Sequence, residues 1–251
     1  MADVPYGIAT DPQTSSSAGN RSCDLRPLFI HVPIFGAVHV AWRLTITAVA
    51  VSLAWLCRQD RLPLGAVRPA LGLALAANEL VWWTFRYSHE GVHLSNLPLQ
   101  LCDITLWTTI LACVTTNRSA IEFVYFAGIA GSGMPLLTPD LWTPWPSYPA
   151  VYFFLAHGGM MIAIAVLAFS KPERFRPGAW RRAFALLAAY GVALGAFNAA
   201  FGTNFMYLCW KPRNPFLLDW LGPWPPYLAG AAGAGSALFW LLWLPVRPAQ
   251  E

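Results

Sequence analysis

Residues 149–169 read PAVYFFLAHGGMMIAIAVLAF, an apolar run with no Asp, Glu, Lys or Arg and with His157 near its middle. A helix needs about 20 apolar residues to cross the ~30 Å hydrocarbon core of a bilayer, so this run is long enough to span one. Six more apolar stretches surround it: Pro33 to Cys57, Val67 to Phe85, Leu99 to Thr116, Ser119 to Leu137, Ala183 to Gly202 and Pro226 to Leu244. Pro, Gly and charge mark most of the breaks, and only Asn117-Arg118 divides the third stretch from the fourth, which predicts a tight helical hairpin there.

The 251 residues are 57% hydrophobic and 11% charged, less than half the charge that covers an ordinary soluble domain. The reading is therefore all-α: a polytopic transmembrane helix bundle of about seven spans over residues 29–246 in the cell membrane. Residues 1–28, polar and without the apolar core of a signal peptide, read as a disordered N-terminal tail, and 247–251 as a short C-terminal one. Basic residues set the orientation. Arg21, Arg26, Arg86, Lys211 and Arg213 fall on one side. Arg58, Arg61, Arg68, Arg118, Lys171, Arg174, Arg176, Arg181, Arg182 and Arg247 fall on the other. The richer side is cytoplasmic, which puts the N-terminus outside and the C-terminus inside.

The net charge of +4 is scattered through loops and forms no continuous basic stripe, which argues against a nucleic-acid partner and for membrane lipids. Five cysteines form no CxxC pair and no metal-ligand spacing with the five histidines, so neither a metal site nor a disulfide framework is expected, and no cofactor motif is seen. An internal repeat, D-x-x-x-P-W-P-x-Y, occurs at Asp140–Tyr148 and Asp219–Tyr227, each copy just before an apolar run. Trp and Tyr sit well at the headgroup level, so the copies read as interfacial anchors or as the rim of an outward-opening cavity.

Ionisable groups in hydrocarbon are costly and mark functional sites by default. His39, Arg43, Asn78, Glu79, Cys102, Asp103, His157 and Asn198 lie inside the apolar stretches. A rise of 1.5 Å per residue puts Glu79 about 9 Å, Cys102 and Asp103 about 5 Å, His157 about 12 Å and Asn198 about 6 Å below the outer edge, in one layer. Glu122, near the cytoplasmic end of its stretch, reads as interfacial. An ion pair of Arg43 with Glu79 or Asp103 could account for part of the layer through packing alone. A histidine satisfied by a backbone carbonyl could account for His157. Cys102 differs from the other cysteines in standing near a helix start, at a depth similar to a histidine, where a thiol becomes a usable nucleophile.

Asn96–Asp103 (NLPLQLCD), Thr138-Pro-Asp140, Phe154–Gly158 (FLAHG), Asn204–Leu208 (NFMYL) with Lys211-Pro212, and the second repeat copy resemble the YwaF-like family of bacterial multi-pass membrane proteins. The likeness runs from about residue 30 to about residue 245. That family looks distantly similar to a vertebrate transmembrane protein that makes ether phospholipids by cysteine-dependent acyl transfer. The resemblance implies Cys102 and His157 as the catalytic pair, nucleophile and general base, acting on lipid esters. Arg43, Glu79, Asp103, Asn198 and Lys211 are the expected substrate-binding residues, with Arg43, Lys211 and Arg213 the candidates for a phosphate headgroup. The competing readings are a small-solute transporter and a noncatalytic membrane protein with a structural polar layer.

Overall fold

The structure, a computed structural model, describes residues 36–138, 145–170, 175–211 and 221–248. The N-terminal tail, Arg213 and most of the segment before each repeat's P-W-P lie outside the described residues. Among the described residues every regular element is helical: α1 (Ala37–Arg58), α2 (Leu64–Glu90), α3 (Leu101–Thr115), α4 (Arg118–Phe123), α5 (Ile129–Leu137), α6 (Tyr148–Phe169), α7 (Ala179–Phe201) and α8 (Pro226–Trp243). A π-helical stretch, Val124–Gly128, joins α4 to α5 so that Arg118–Leu137 runs as one rod. Five helices are long and apolar enough to cross a membrane: α1, α2, the α4–α5 rod, α6 and α7. The third, α3, is apolar but shorter.

Local chemistry sets the helix ends. Thr116 turns the chain in the left-handed region at φ 57°, and the Asn117 side chain then accepts the Ala120 N–H at 3.1 Å to cap α4. This is the tight hairpin expected at Asn117-Arg118. The second apolar stretch was expected to end at Phe85, yet α2 continues to Glu90. The cause is an i,i+4 ion pair, Arg86 to Glu90 at 2.9 Å, which supports a last polar turn before Gly91 breaks it at φ 75°.

The α4–α5 rod and α6 form the centre. They are half or more buried, whereas α1, α2 and α7 keep most of their surface outward. All five residues of the π stretch are buried. The rod packs on α3, α6 and α7, and α6 lies between α1 and α2. Two adjacent glycines on α6 set that sandwich. A Cβ on Gly158 would lie 2.5 Å from Ile46 Cδ1 of α1, and one on Gly159 would lie 2.9 Å from Leu75 Cδ2 of α2. Without a hydrophobic drive in lipid, such close approach is what holds neighbouring helices together.

Glu122, at the first turns of the rod, is buried at 2% exposure. It accepts the Arg176 backbone N–H at 2.9 Å, Arg176 Nη2 at 2.7 Å and Arg182 Nη2 at 3.1 Å. The carboxylate thus ties the start of the rod to the entry of α7. Its hydrogen bonds hold the Arg176 guanidinium above the usual arginine value, so that charge is permanent.

Candidate active site

A cavity of about 260 Å³ is lined by α2, α3 and α6. Its walls include Trp82, Arg86 and Glu90 from α2, Gln100, Cys102, Asp103 and Leu106 from the start of α3, and Tyr152, Ala156, His157 and Met160 from α6. Cys102 and His157, far apart in the chain, therefore open onto one space. Among the described residues no hydrogen bond joins them.

The first turn of α3 is built around Cys102. Gln100 is the N-cap. Its backbone N–H donates to Asp103 Oδ2 at 2.9 Å, and its side chain accepts from the Asp103 backbone N–H in a capping box. Asp103, acidic beside the thiol, is thus committed to closing the helix end. The first helical bond is Ile104 N–H to the Gln100 carbonyl at 3.2 Å, so the amides of Leu101 and Cys102 have no acceptor within the helix. Gln100 Oε1 also accepts the Met206 N–H at 2.9 Å, which fixes the orientation of the amide. Its NH₂ then has no acceptor among the described residues and belongs to the cavity wall.

On α6, His157 Nδ1 lies 2.8 Å from the Phe153 carbonyl. A carbonyl only accepts, so Nδ1 carries the proton and Nε2 keeps its lone pair. The carbonyl contact that could have been a purely structural role also supplies the tautomer that a general base needs.

Glu79, fully buried, stands behind the cavity wall. Trp83 Nε1 donates to one carboxylate oxygen at 2.7 Å and the Tyr152 hydroxyl to the other at 2.8 Å. Tyr152 stacks on Trp82 with ring centroids 4.1 Å apart, so Glu79 stiffens the α2–α6 wall. The Arg43 ion pair with Glu79 or Asp103 is not formed. Among the described residues the salt bridges are Arg86–Glu90, Arg176–Glu122 and Arg182–Glu122. Arg43, on α1, is half-buried and does not line the cavity.

Asn198 and Lys211 also stand outside the cavity. Asn198 Oδ1 accepts the Thr203 hydroxyl at 2.8 Å and the Phe205 N–H at 3.0 Å, while its Nδ2 donates to the Phe205 carbonyl at 3.0 Å. Its work is to fold the turn after α7. Asn198→Ala is therefore expected to lower stability by about 2 kcal/mol, the cost of buried partners left unpaired. Thermal unfolding in detergent measures it. Lys211 Nζ lies 5.4 Å from the Tyr227 ring centre. His39, fully buried, donates Nε2 to the Leu136 carbonyl at 2.8 Å and ties α1 to the end of α5.

The repeat copies share geometry as well as letters. Trp145–Pro146 and Trp224–Pro225 are both cis, and Tyr148 and Tyr227 both stand in the first turn of a helix. Tyr148 packs on Phe85 at 4.7 Å and on Trp82, one of the cavity's wall residues, at 6.1 Å. The Tyr227 hydroxyl donates to the Tyr207 carbonyl.

Sequence reasoning missed Arg86, Glu90, Gln100, Tyr152 and Trp82 as cavity residues. Arg86 and Glu90 lie beyond the apolar stretch that ends at Phe85, so hydropathy alone does not place them on the helix. Their i,i+4 spacing was the one available signal that the helix continues.

Comparison with curated proteins and with solved structures found no match to either. The TMEM164 family profile matches residues 34–243, a region that contains every residue of the cavity. With that match and its apolar helices, the chain is a multi-pass integral membrane protein and belongs to the TMEM164 family.

Proposed function

We propose that the protein is a lipid acyltransferase, with Cys102 as nucleophile and His157 as general base. It works within a bundle of seven spans over residues 29–246, the N-terminus outside and the C-terminus cytoplasmic. The observation that carries the reading is the shared cavity: a thiol on the first turn of α3, and an imidazole on α6 whose Nδ1 is occupied and whose Nε2 has no hydrogen-bond partner among the described residues. The resemblance of the same two residues to a cysteine-dependent pair points the same way.

The steps follow from the residue types. His157 Nε2 takes the Cys102 proton, and the thiolate adds to the carbonyl carbon of an acyl ester. The leaving alkoxide takes the proton back from His157 as the thioester forms. A hydroxyl of a second lipid then gives its proton to His157 and attacks the thioester, and the released thiolate takes that proton from His157 to restore the thiol. The amides of Leu101 and Cys102, which have no acceptor within the helix, and the NH₂ of Gln100 are the donors for the oxyanion in both halves. Arg86 is the guanidinium that lines the cavity, and it suits a headgroup phosphate better than Arg43 or Lys211. Glu79 and Asp103 act by holding the wall and the helix start. A cavity of about 260 Å³ admits the ester region of a phospholipid, with its acyl chains left in the bilayer.

A thioester is the distinguishing intermediate. Protein reconstituted with an acyl-labelled phospholipid and no acceptor should carry a hydroxylamine-labile acyl group on the Cys102 peptide, read by mass spectrometry. Acyl exchange that proceeds with no adduct on Cys102 would sink the reading. An absence of both exchange and adduct would favour the transporter reading, for which the π stretch in the central rod is the supporting feature.

A further inference from the structure

We propose that the groove at the Glu122 clamp binds the phosphate of an anionic phospholipid. The groove, about 370 Å³, is walled by Ser119 and Phe123 of the rod, Arg176, and Arg182, Ala185 and Leu186 of α7. It is separate from the Cys102 cavity. Cys102 opens α3, while Ser119 and Glu122 follow the hairpin that closes it, so the length of α3, about 20 Å, lies between the two sites.

Charge argues for an anion. One buried carboxylate faces two guanidinium groups, which leaves a surplus positive charge in the groove, and Arg118 and Arg181 are exposed beside it in the chain. The donors are not exhausted. Arg176 gives Nε and Nη2 to Glu122, with Nη2 also on Ser119, while its Nη1 has no acceptor among the described residues. The two side chains are 39% and 43% exposed, enough to meet a ligand while held in place by Glu122. A fork fixed in orientation by a carboxylate and still offering N–H groups is suited to a phosphate oxygen.

The walls argue for a lipid as the source of that phosphate. Phe123, Ala183, Ala185 and Leu186 are apolar, Leu186 is exposed, and α7 is the least buried of the five long helices. A headgroup seated on Arg176 would run its acyl chain along this outward face. Basic pockets between helices at the cytoplasmic interface are suited to such headgroups.

The test uses full-length protein in nanodiscs of phosphatidylcholine carrying a photoactivatable phosphatidylglycerol, with adducts mapped by mass spectrometry. Labelling is expected within residues 118–123 and 176–186. It should fall about tenfold in Arg176→Gln, the loss of a charge-assisted bond. Because Arg176→Gln also loosens the clamp, Ala185→Trp provides a second route. It fills the groove from an exposed position without touching the ion pairs, and it should abolish labelling while melting as wild type in phosphatidylcholine alone. Wild-type labelling in a normally folded Ala185→Trp, or adducts elsewhere only, would overturn the proposal. So would inorganic phosphate competing as well as unlabelled phosphatidylglycerol, because the source would then be soluble.

Discussion

Under the proposed acyl transfer, Cys102→Ser is expected to abolish acyl exchange, with a loss of at least about 10³-fold at unchanged membrane abundance, because a hydroxyl is far harder to ionise than a thiol. His157→Gln is expected to match it. The double variant should be no worse than either single one, since nucleophile and base act as a unit. Gln100→Ala should lose about 10²-fold in kcat, the usual cost of one oxyanion donor. Cys113→Ala, on the buried face of the same helix, is the control and should leave exchange intact. The measurement is transfer of a labelled acyl chain between phospholipid and lysophospholipid in proteoliposomes, normalised to folded protein. Exchange that survives Cys102→Ser at normal abundance would end the cysteine mechanism.

Gly158→Leu is expected to destabilise the fold by at least about 3 kcal/mol, at the upper end of overpacking penalties. The position has no room: a Cβ there already meets Ile46 Cδ1 at 2.5 Å and Cγ1 at 2.7 Å, and a full side chain must displace α1. The consequence is specific. His157, immediately before it, would lose its register against the cavity, so specific activity should fall together with the melting temperature. Gly191→Leu, on α7 where nothing lies within 4 Å, should be nearly neutral in the same assay. Equal melting of the two variants would show that α1 and α6 do not pack through this glycine.

The helices themselves were legible in the sequence, because in a bilayer every backbone polar group must be satisfied inside its own segment and long apolar runs have one solution. Among the described residues all seven stretches are helical, with ends displaced by a few residues. The hairpin at Asn117 and the two P-W-P-x-Y entries were equally local, set by capping and proline. The candidate pair Cys102 and His157 came from residue type, depth and resemblance, and both residues line one cavity, from α3 and α6.

What depth could not decide was rotation about each helix axis. His39, Glu79, Cys102, His157 and Asn198 were expected in one layer, but a layer is a ring, and each 100° step along a helix turns a side chain to a new neighbour. Packing sent Asn198 to its own turn and His39 to the end of α5, and left Cys102, Asp103 and His157 on one cavity with Glu79 behind it. The glycine pair after His157 and the Glu122 clamp belong to the same class. Their partners, Ile46, Leu75, Arg176 and Arg182, lie tens of residues away, and only the approach of whole helices brings them into contact.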